Sequence, residues 1–168
     1  MATHDVLHGI GVSAGTAAAP AAIVQPAPGV DTTEPGSVDA AADGARVREA
    51  LATVSARLSE RAANAPEETK AILKATAQLA GDRGLAKAVD KKLKKGLGVT
   101  QAVHDAVEDY AQMLRSLGGY MAERATDLYD VRDRAICELR GLPEPGVPAF
   151  DGPVVLVARD LAPAETAT

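Results

Sequence analysis

From Ser37 to Arg140 apolar residues recur at helical spacing in successive blocks, each closed by glycine or proline, and outside that region the pattern shifts to short apolar runs. Val47, Leu51, Val54 and Leu58 follow i, i+4, i+7, i+11 and predict an amphipathic helix from Ser37 to about Asn64 with a narrow apolar seam. Gly44 sits inside this helix and weakens it by about 1 kcal/mol relative to alanine unless a neighbouring helix needs the close approach. Pro66 opens a second helix with Glu67 and Glu68 in its first turn, and Gly81 closes it after Leu79 and Ala80. Asp82 is placed to cap a third, running through Leu85, Ala86, Val89 and Leu93 to Gly96-Leu97-Gly98. Thr100 is expected to cap a fourth, whose Val103, Val107, Tyr110, Leu114 and Leu117 lead to Gly118-Gly119. A fifth runs from Tyr120 to Arg140 and ends at Gly141. Five helices with short connections predict an antiparallel bundle.

The flanks read differently. Residues 6–24 carry short apolar runs broken by Gly9, Gly11, Gly15 and Pro20, and predict two short strands. Those glycines lack the spacing of either standard phosphate loop, and no Lys-Ser or Lys-Thr follows them. Residues 25–36 and 142–149, rich in proline and glycine, are linkers. Beyond the second, Val154-Val155-Leu156-Val157 is an unbroken apolar run and predicts a strand covered on both faces. Asp160 to Thr166, with Pro163 near the first helical position, reads as a helix start. The fold expected is mainly α, an antiparallel helical bundle over 37–141 inserted into an incomplete α/β domain built from 1–24 and 150–168. A strand and helix start with no continuation imply part of a larger protein, with an exposed edge at the final strand.

Composition changes the picture of the core. Three tyrosines, one phenylalanine and no tryptophan leave alanine, leucine, valine and isoleucine to fill the interior, which favours closely approaching helices. A net charge of -5 argues against general nucleic-acid binding and for a basic protein partner. The run Lys87, Lys91, Lys92, Lys94 and Lys95 has no interleaved aromatics and reads as a solvated helix end. The single cysteine, Cys137, excludes an internal disulfide, and no window approaches the ~20 apolar residues of a membrane span. A cytoplasmic protein with no membrane insertion is expected.

Candidate chemistry is sparse. Met121, Leu128, Val131, Ala135 and Leu139 share one face of the fifth helix, taking about 100° per residue, and Arg124 and Arg132 fall beside it. Either each arginine pairs with Asp127, Asp130 or Asp133, or one is held ready for an anionic partner or a phosphate; periodicity alone favours pairing. Cys137 is expected roughly opposite that face, with no thiolate stabiliser nearby. His104 is expected on the polar side of the fourth helix, and His4 and His8 stand too isolated to mark a site. Glu67, Glu68, Ile72, Thr76, Leu79, Asp82 and Leu85 place acids beside an apolar strip. Such a strip is either core or a docking groove whose negative rim steers a basic partner.

The blocks Tyr120-Met121-Ala122-Glu123-Arg124-Ala125-Thr126-Asp127 and Asp130-Val131-Arg132-Asp133, the run Asp160-Leu161-Ala162-Pro163-Ala164-Glu165-Thr166, and Ile10-Gly11-Val12-Ser13-Ala14-Gly15 together carry a resemblance. They resemble enzyme I of the bacterial sugar phosphotransferase system, the phosphoenolpyruvate-protein phosphotransferase family. The resemblance implies phosphate transfer from phosphoenolpyruvate to a histidine of the enzyme and on to the phosphocarrier HPr. It puts the phosphohistidine beyond Thr168, so that none of His4, His8 or His104 carries phosphate. The fragment itself would then dock HPr without transferring phosphate and hold no cofactor, with magnesium and homodimerisation belonging to the parent's C-terminal domain. The implied docking residues are Glu67, Glu68, Ala71, Ile72, Leu79, Asp82, Leu85 and Arg124. At Thr76, Gln78, Arg83 and Gly84 the sequence departs from the pattern, making the groove less negative. The alternatives are a related phosphoenolpyruvate synthase or pyruvate phosphate dikinase, neither expected to bind HPr, and a non-enzymatic helical interaction module.

Overall fold

Asp39 takes hydrogen bonds of 3.0 Å from the N–H groups of both Ala41 and Ala42, and this cap starts a long helix, Ala40–Asn64. In the computed structural model, which describes residues 9–24, 26–147, 150–159 and 161, four further helices follow it. With a short strand on either side, the order is β1 (Ala21–Ile23), α1 (Ala40–Asn64), α2 (Glu67–Ala80), α3 (Arg83–Leu93), α4 (Val99–Leu117), α5 (Gly119–Arg140) and β2 (Val155–Val157). The bundle expected from the apolar spacing is therefore present, with helix boundaries within a few residues of those read from the sequence.

The seam of α1 is the centre of the core. Val47, Leu51, Val54 and Leu58 are all buried, and α1 touches each of the other four helices. Leu73 from α2, Leu85, Val89 and Leu93 from α3, Val103 and Val107 from α4, and Leu128, Val131 and Ile136 from α5 complete the cluster. Each buried leucine or valine stabilises the fold by about 1.5–3 kcal/mol through removal of apolar surface from water. Tyr110 and Tyr129 only border this cluster, so aliphatic residues fill it, with alanines such as Ala62, Ala106 and Ala135 where the packing is tight. Gly44 shows why a helix-weakening residue is kept. A Cβ there would overlap Asp90 Oδ1 on α3, and Asp90 is held by Arg48 at 2.8 Å.

Two caps differ in kind. Asp82 accepts the Leu85 N–H at 2.8 Å, the expected start of α3. Thr100 does not cap α4; Gly98 holds that position without a side-chain bond. The carboxylate of Glu34, in the connector before α1, accepts both the Thr100 N–H at 2.8 Å and the Thr100 hydroxyl at 2.6 Å. An acid at a helix N-terminus satisfies open donors and meets the positive end of the dipole. A neutral threonine hydroxyl does only the first. The connector is thus fastened to the bundle: Ser37 donates its N–H to the Leu97 carbonyl at 3.1 Å, and a Cβ on Gly36 would overlap the Gly96 carbonyl. Glu34→Ala is expected to lower unfolding stability by about 1–2 kcal/mol in urea titrations monitored by circular dichroism. A change below a few tenths would deny the carboxylate its capping role.

α5 ends at Gly141, whose φ of +63° is the left-handed conformation that glycine adopts freely. Leu142 N–H reaches back to the Cys137 carbonyl at 2.9 Å and Gly141 N–H to that of Glu138 at 3.2 Å, the paired bonds of a Schellman ending.

β1 and β2 pair in parallel, with Ala21 opposite Val155, Ala22 opposite Leu156 and Ile23 opposite Val157. The helical block therefore lies in sequence between two hydrogen-bonded strands. The double-sided burial expected of β2 is not found: Val155, Leu156 and Val157 are 38%, 36% and 47% exposed. Among the described residues the sheet has only these two strands, and both faces of β2 stay partly exposed. Nor do residues 9–20 form a strand; Ile10 and Val12 are almost fully exposed and the first strand begins only at Ala21. The strand expected to begin at Val6 lies partly outside the described residues, as does the helix start expected from Asp160 to Thr166.

Candidate functional site

α2 has two unlike sides. Taking about 100° per residue, Glu68, Ile72 and Leu79 project within about 40° of one another, while Leu73, Ala77 and Ala80 point away from them. Leu73, Ala77 and Ala80 are sealed in the core, at most 4% exposed. Glu67, Glu68 and Ala71 are exposed, and Ile72 and Leu79 are half-buried. Ile72 is no part of the core cluster, whereas Leu79 packs partly against it. Asp82 follows in the exposed turn, which is closed by its own N–H donating to the Leu79 carbonyl at 3.2 Å. The result is a strip with apolar side chains at its middle and carboxylates at its ends.

Leu85 does not belong to this strip. It is 1% exposed and packed in the core, because the cap at Asp82 starts α3 in a phase that turns position 85 toward α1 and α4. Thr76, too, is buried, its hydroxyl donating to the Ile72 carbonyl at 3.1 Å. The charge around the strip is mixed. Glu67 pairs with Lys70 at 3.3 Å, and Lys74, Arg83 and Lys87 are exposed nearby in sequence.

Both arginines flagged on α5 are paired. Arg124 donates to Asp127 at 2.7 Å and lies 4.5 Å over the Tyr120 ring, leaving about a fifth of its side chain to solvent. Arg132 donates to Asp133 at 2.7 Å and lies 4.9 Å over Tyr129. No hydrogen bond or ion pair among the described residues joins Arg124 to the α2 strip.

The more consequential arginine is one the apolar spacing does not flag. Arg134 is 1% exposed; its Nε donates to both Asp130 oxygens at 3.0 and 2.9 Å, and its Nη1 donates to Glu144 in the second connector. The spacing of Asp130 and Arg134, acid first and base four residues later, is the available signal for a helix pair. Nothing in it marks the pair as buried. Cys137 is also buried rather than set opposite the packed face, because α5 is covered on several sides by α1, α2 and α4. Burial first, then the charges of Asp133 and Glu144, push its thiol above the ordinary range, which disfavours the nucleophilic thiolate. His104 is half-buried rather than a plain surface residue. It lines a small cavity together with residues 27–30 of the first connector, and its Nδ1 is buried without a hydrogen-bond partner among the described residues.

The family profile described as PEP-utilising enzyme, N-terminal, matches residues 8–124. The chain belongs to this family. Among curated members, the phosphoenolpyruvate-protein phosphotransferase of Streptomyces coelicolor is 43% identical over 129 residues, covering 77% of this chain and 23% of that protein. The protein of the same name from Listeria monocytogenes is 33% identical over 96% of this chain and 29% of its own length. The chain thus spans about a quarter of the length of these relatives. Among solved structures, an NMR solution structure of Enzyme I superposes with a TM-score of 0.70 at 28% identity, covering 89% of this chain and 63% of that one. The N-terminal domain of a structure described as Enzyme 1 - Nitrogen gives 0.64 at 26% identity over the same shares. The mainly helical fold is therefore that of the Enzyme I N-terminal region. Among the described residues of this PEP-utilising family member, no three His, Cys, Asp or Glu side chains are gathered to hold a metal ion. No described helix is long and apolar enough to cross a membrane.

Proposed function

We propose that the helical block, residues 37–141, is the phosphocarrier-docking module of a phosphoenolpyruvate-protein phosphotransferase, and that HPr seats on the α2 strip and the turn after it. Residues 1–24 and 150–168 then belong to the α/β domain that carries the module, joined through 25–36 and 142–149. Ile72 and Leu79 supply the apolar contact, Ala71 lets the partner approach closely, and Glu67, Glu68 and Asp82 steer a cationic surface. Arg124 is a further contact, its guanidinium already oriented by Asp127. On this reading phosphate passes from phosphoenolpyruvate through a histidine outside the helical block, in a cytoplasmic relay for sugar uptake. His4, His8 and His104 take no part in carrying it. Magnesium and dimerisation belong to the C-terminal part of such enzymes.

The observation that carries the proposal is the position of Ile72, half-buried on a helix whose opposite side closes the core, beside exposed Glu68 and Ala71. A branched apolar side chain in that setting is not needed to hold the bundle together. Titration of the chain into isotope-labelled HPr is expected to shift a contiguous set of HPr resonances, and Ile72→Asp to abolish those shifts while the far-UV spectrum stays helical. HPr resonances that stay put on addition of the wild-type chain would reject the docking role.

A further inference from the structure

We propose that the Tyr110 hydroxyl is a specificity-determining contact at the α3 end of this docking face, seated in the space a side chain at position 84 would otherwise fill. The inference rests on the docking reading above and adds to it a residue from α4. Gly84 lies half-buried in the first turn of α3. A Cβ there would overlap the Tyr110 hydroxyl oxygen and lie 2.8 Å from Asp82 Oδ1. No real Cβ tolerates such contacts, so the glycine leaves room for the phenol. The Tyr110 ring borders the core cluster from α4 and its oxygen reaches across to the turn that holds Asp82.

That oxygen makes no hydrogen bond among the described residues, and Asp82 Oδ1 is already engaged by the Leu85 N–H at 2.8 Å. Burial first, and the negative charge of Asp82 second, push the phenol above its usual range. At neutral pH it is therefore an uncharged donor with its O–H unspent. Exposed Arg83 and Lys87 lie one turn or less from Gly84 on α3. This end of the face thus sets a phenolic donor beside the Asp82 carboxylate. The matching group on the carrier is an acceptor, a backbone carbonyl, side-chain amide or hydroxyl, set beside the cationic group that Asp82 attracts.

A double-mutant cycle on the full chain, titrated against isotope-labelled HPr, tests this. Tyr110→Phe is expected to weaken binding roughly five-fold, the loss of one neutral hydrogen bond, with the thermal midpoint almost unchanged. Gly84→Ala is expected to weaken it at least as much, since its Cβ would press on both the hydroxyl and the Asp82 carboxylate, and to have a smaller further effect in the Tyr110→Phe background. Unchanged affinity in Tyr110→Phe, with wild type binding, would overturn the tyrosine's role while leaving the docking face standing, as would full additivity of the two substitutions. Wild-type chain that leaves HPr unshifted would overturn both.

Discussion

Arg134→Met is expected to destabilise the protein by about 3–5 kcal/mol, lowering the thermal midpoint by roughly 10 °C. The arginine is 1% exposed, and its removal strips Asp130 of the ion-pair partner that donates to both of its oxygens while also freeing Glu144. A buried carboxylate that loses its principal countercharge bears more of the cost of leaving water. Asp130→Leu in the Arg134→Met background should therefore recover much of the loss, since no charge is then stranded. The penalty also depends on pH. Burial pushes the Asp130 carboxyl above its ordinary range, with Arg134 pulling it back down, so the single variant raises it further. A folded-state value above the unfolded one contributes stability at low pH that is lost as pH rises through it. The gap between wild type and Arg134→Met should accordingly narrow as pH falls from 7 toward the ordinary carboxylate range near about 4. Urea titrations at both pH values measure this; a single variant within about 1 kcal/mol of wild type at pH 7 would contradict it.

Adjacent residues on α2 should respond in opposite ways. Leu73 is fully buried in the core, and Leu73→Ala is expected to cost about 2–5 kcal/mol through lost burial and the cavity left behind. Ile72 points to the other side of the same turn, so Ile72→Asp should cost about 1 kcal/mol or less while removing HPr binding altogether. Leu73→Ala, in turn, should leave the affinity for HPr within a factor of about two wherever the chain remains folded. Paired stability and titration measurements read both quantities. Loss of binding in Leu73→Ala below its melting temperature, with retention in Ile72→Asp, would place the partner elsewhere. Leu79 is less informative because it packs partly against the core and serves both purposes.

The contrast between these neighbours also marks how far the letters reach. Periodicity separated the five helices because each has an apolar stripe and a glycine or proline boundary, and it placed Leu58, Val89 and Leu128 inward. It could not say on which side Leu85 would fall, since that phase depends on where the cap at Asp82 starts α3. Thr100 looked like the cap of α4, but the carboxylate that serves it comes from Glu34, far away in sequence. Tertiary capping of this kind leaves no local pattern. Arg134 was equally hidden, because an acid and a base four residues apart read the same on a solvated face as in a core. β2 misled for another reason. An unbroken run of valine and leucine marks a strand suited to burial, and burial depends on neighbours that the run does not contain.

The parallel pairing of β1 and β2 assigns the bundle a second task. Two parallel neighbours cannot be joined by a hairpin turn, since the chain must travel back the length of the strand before it can pair again. Here the return path is everything between Ile23 and Val155. Excising the helices and splicing the strands with two residues would leave Ala22 unable to meet Leu156 in the present register. A designer wishing to exchange this module must supply another return route, one whose two ends emerge side by side and point the same way.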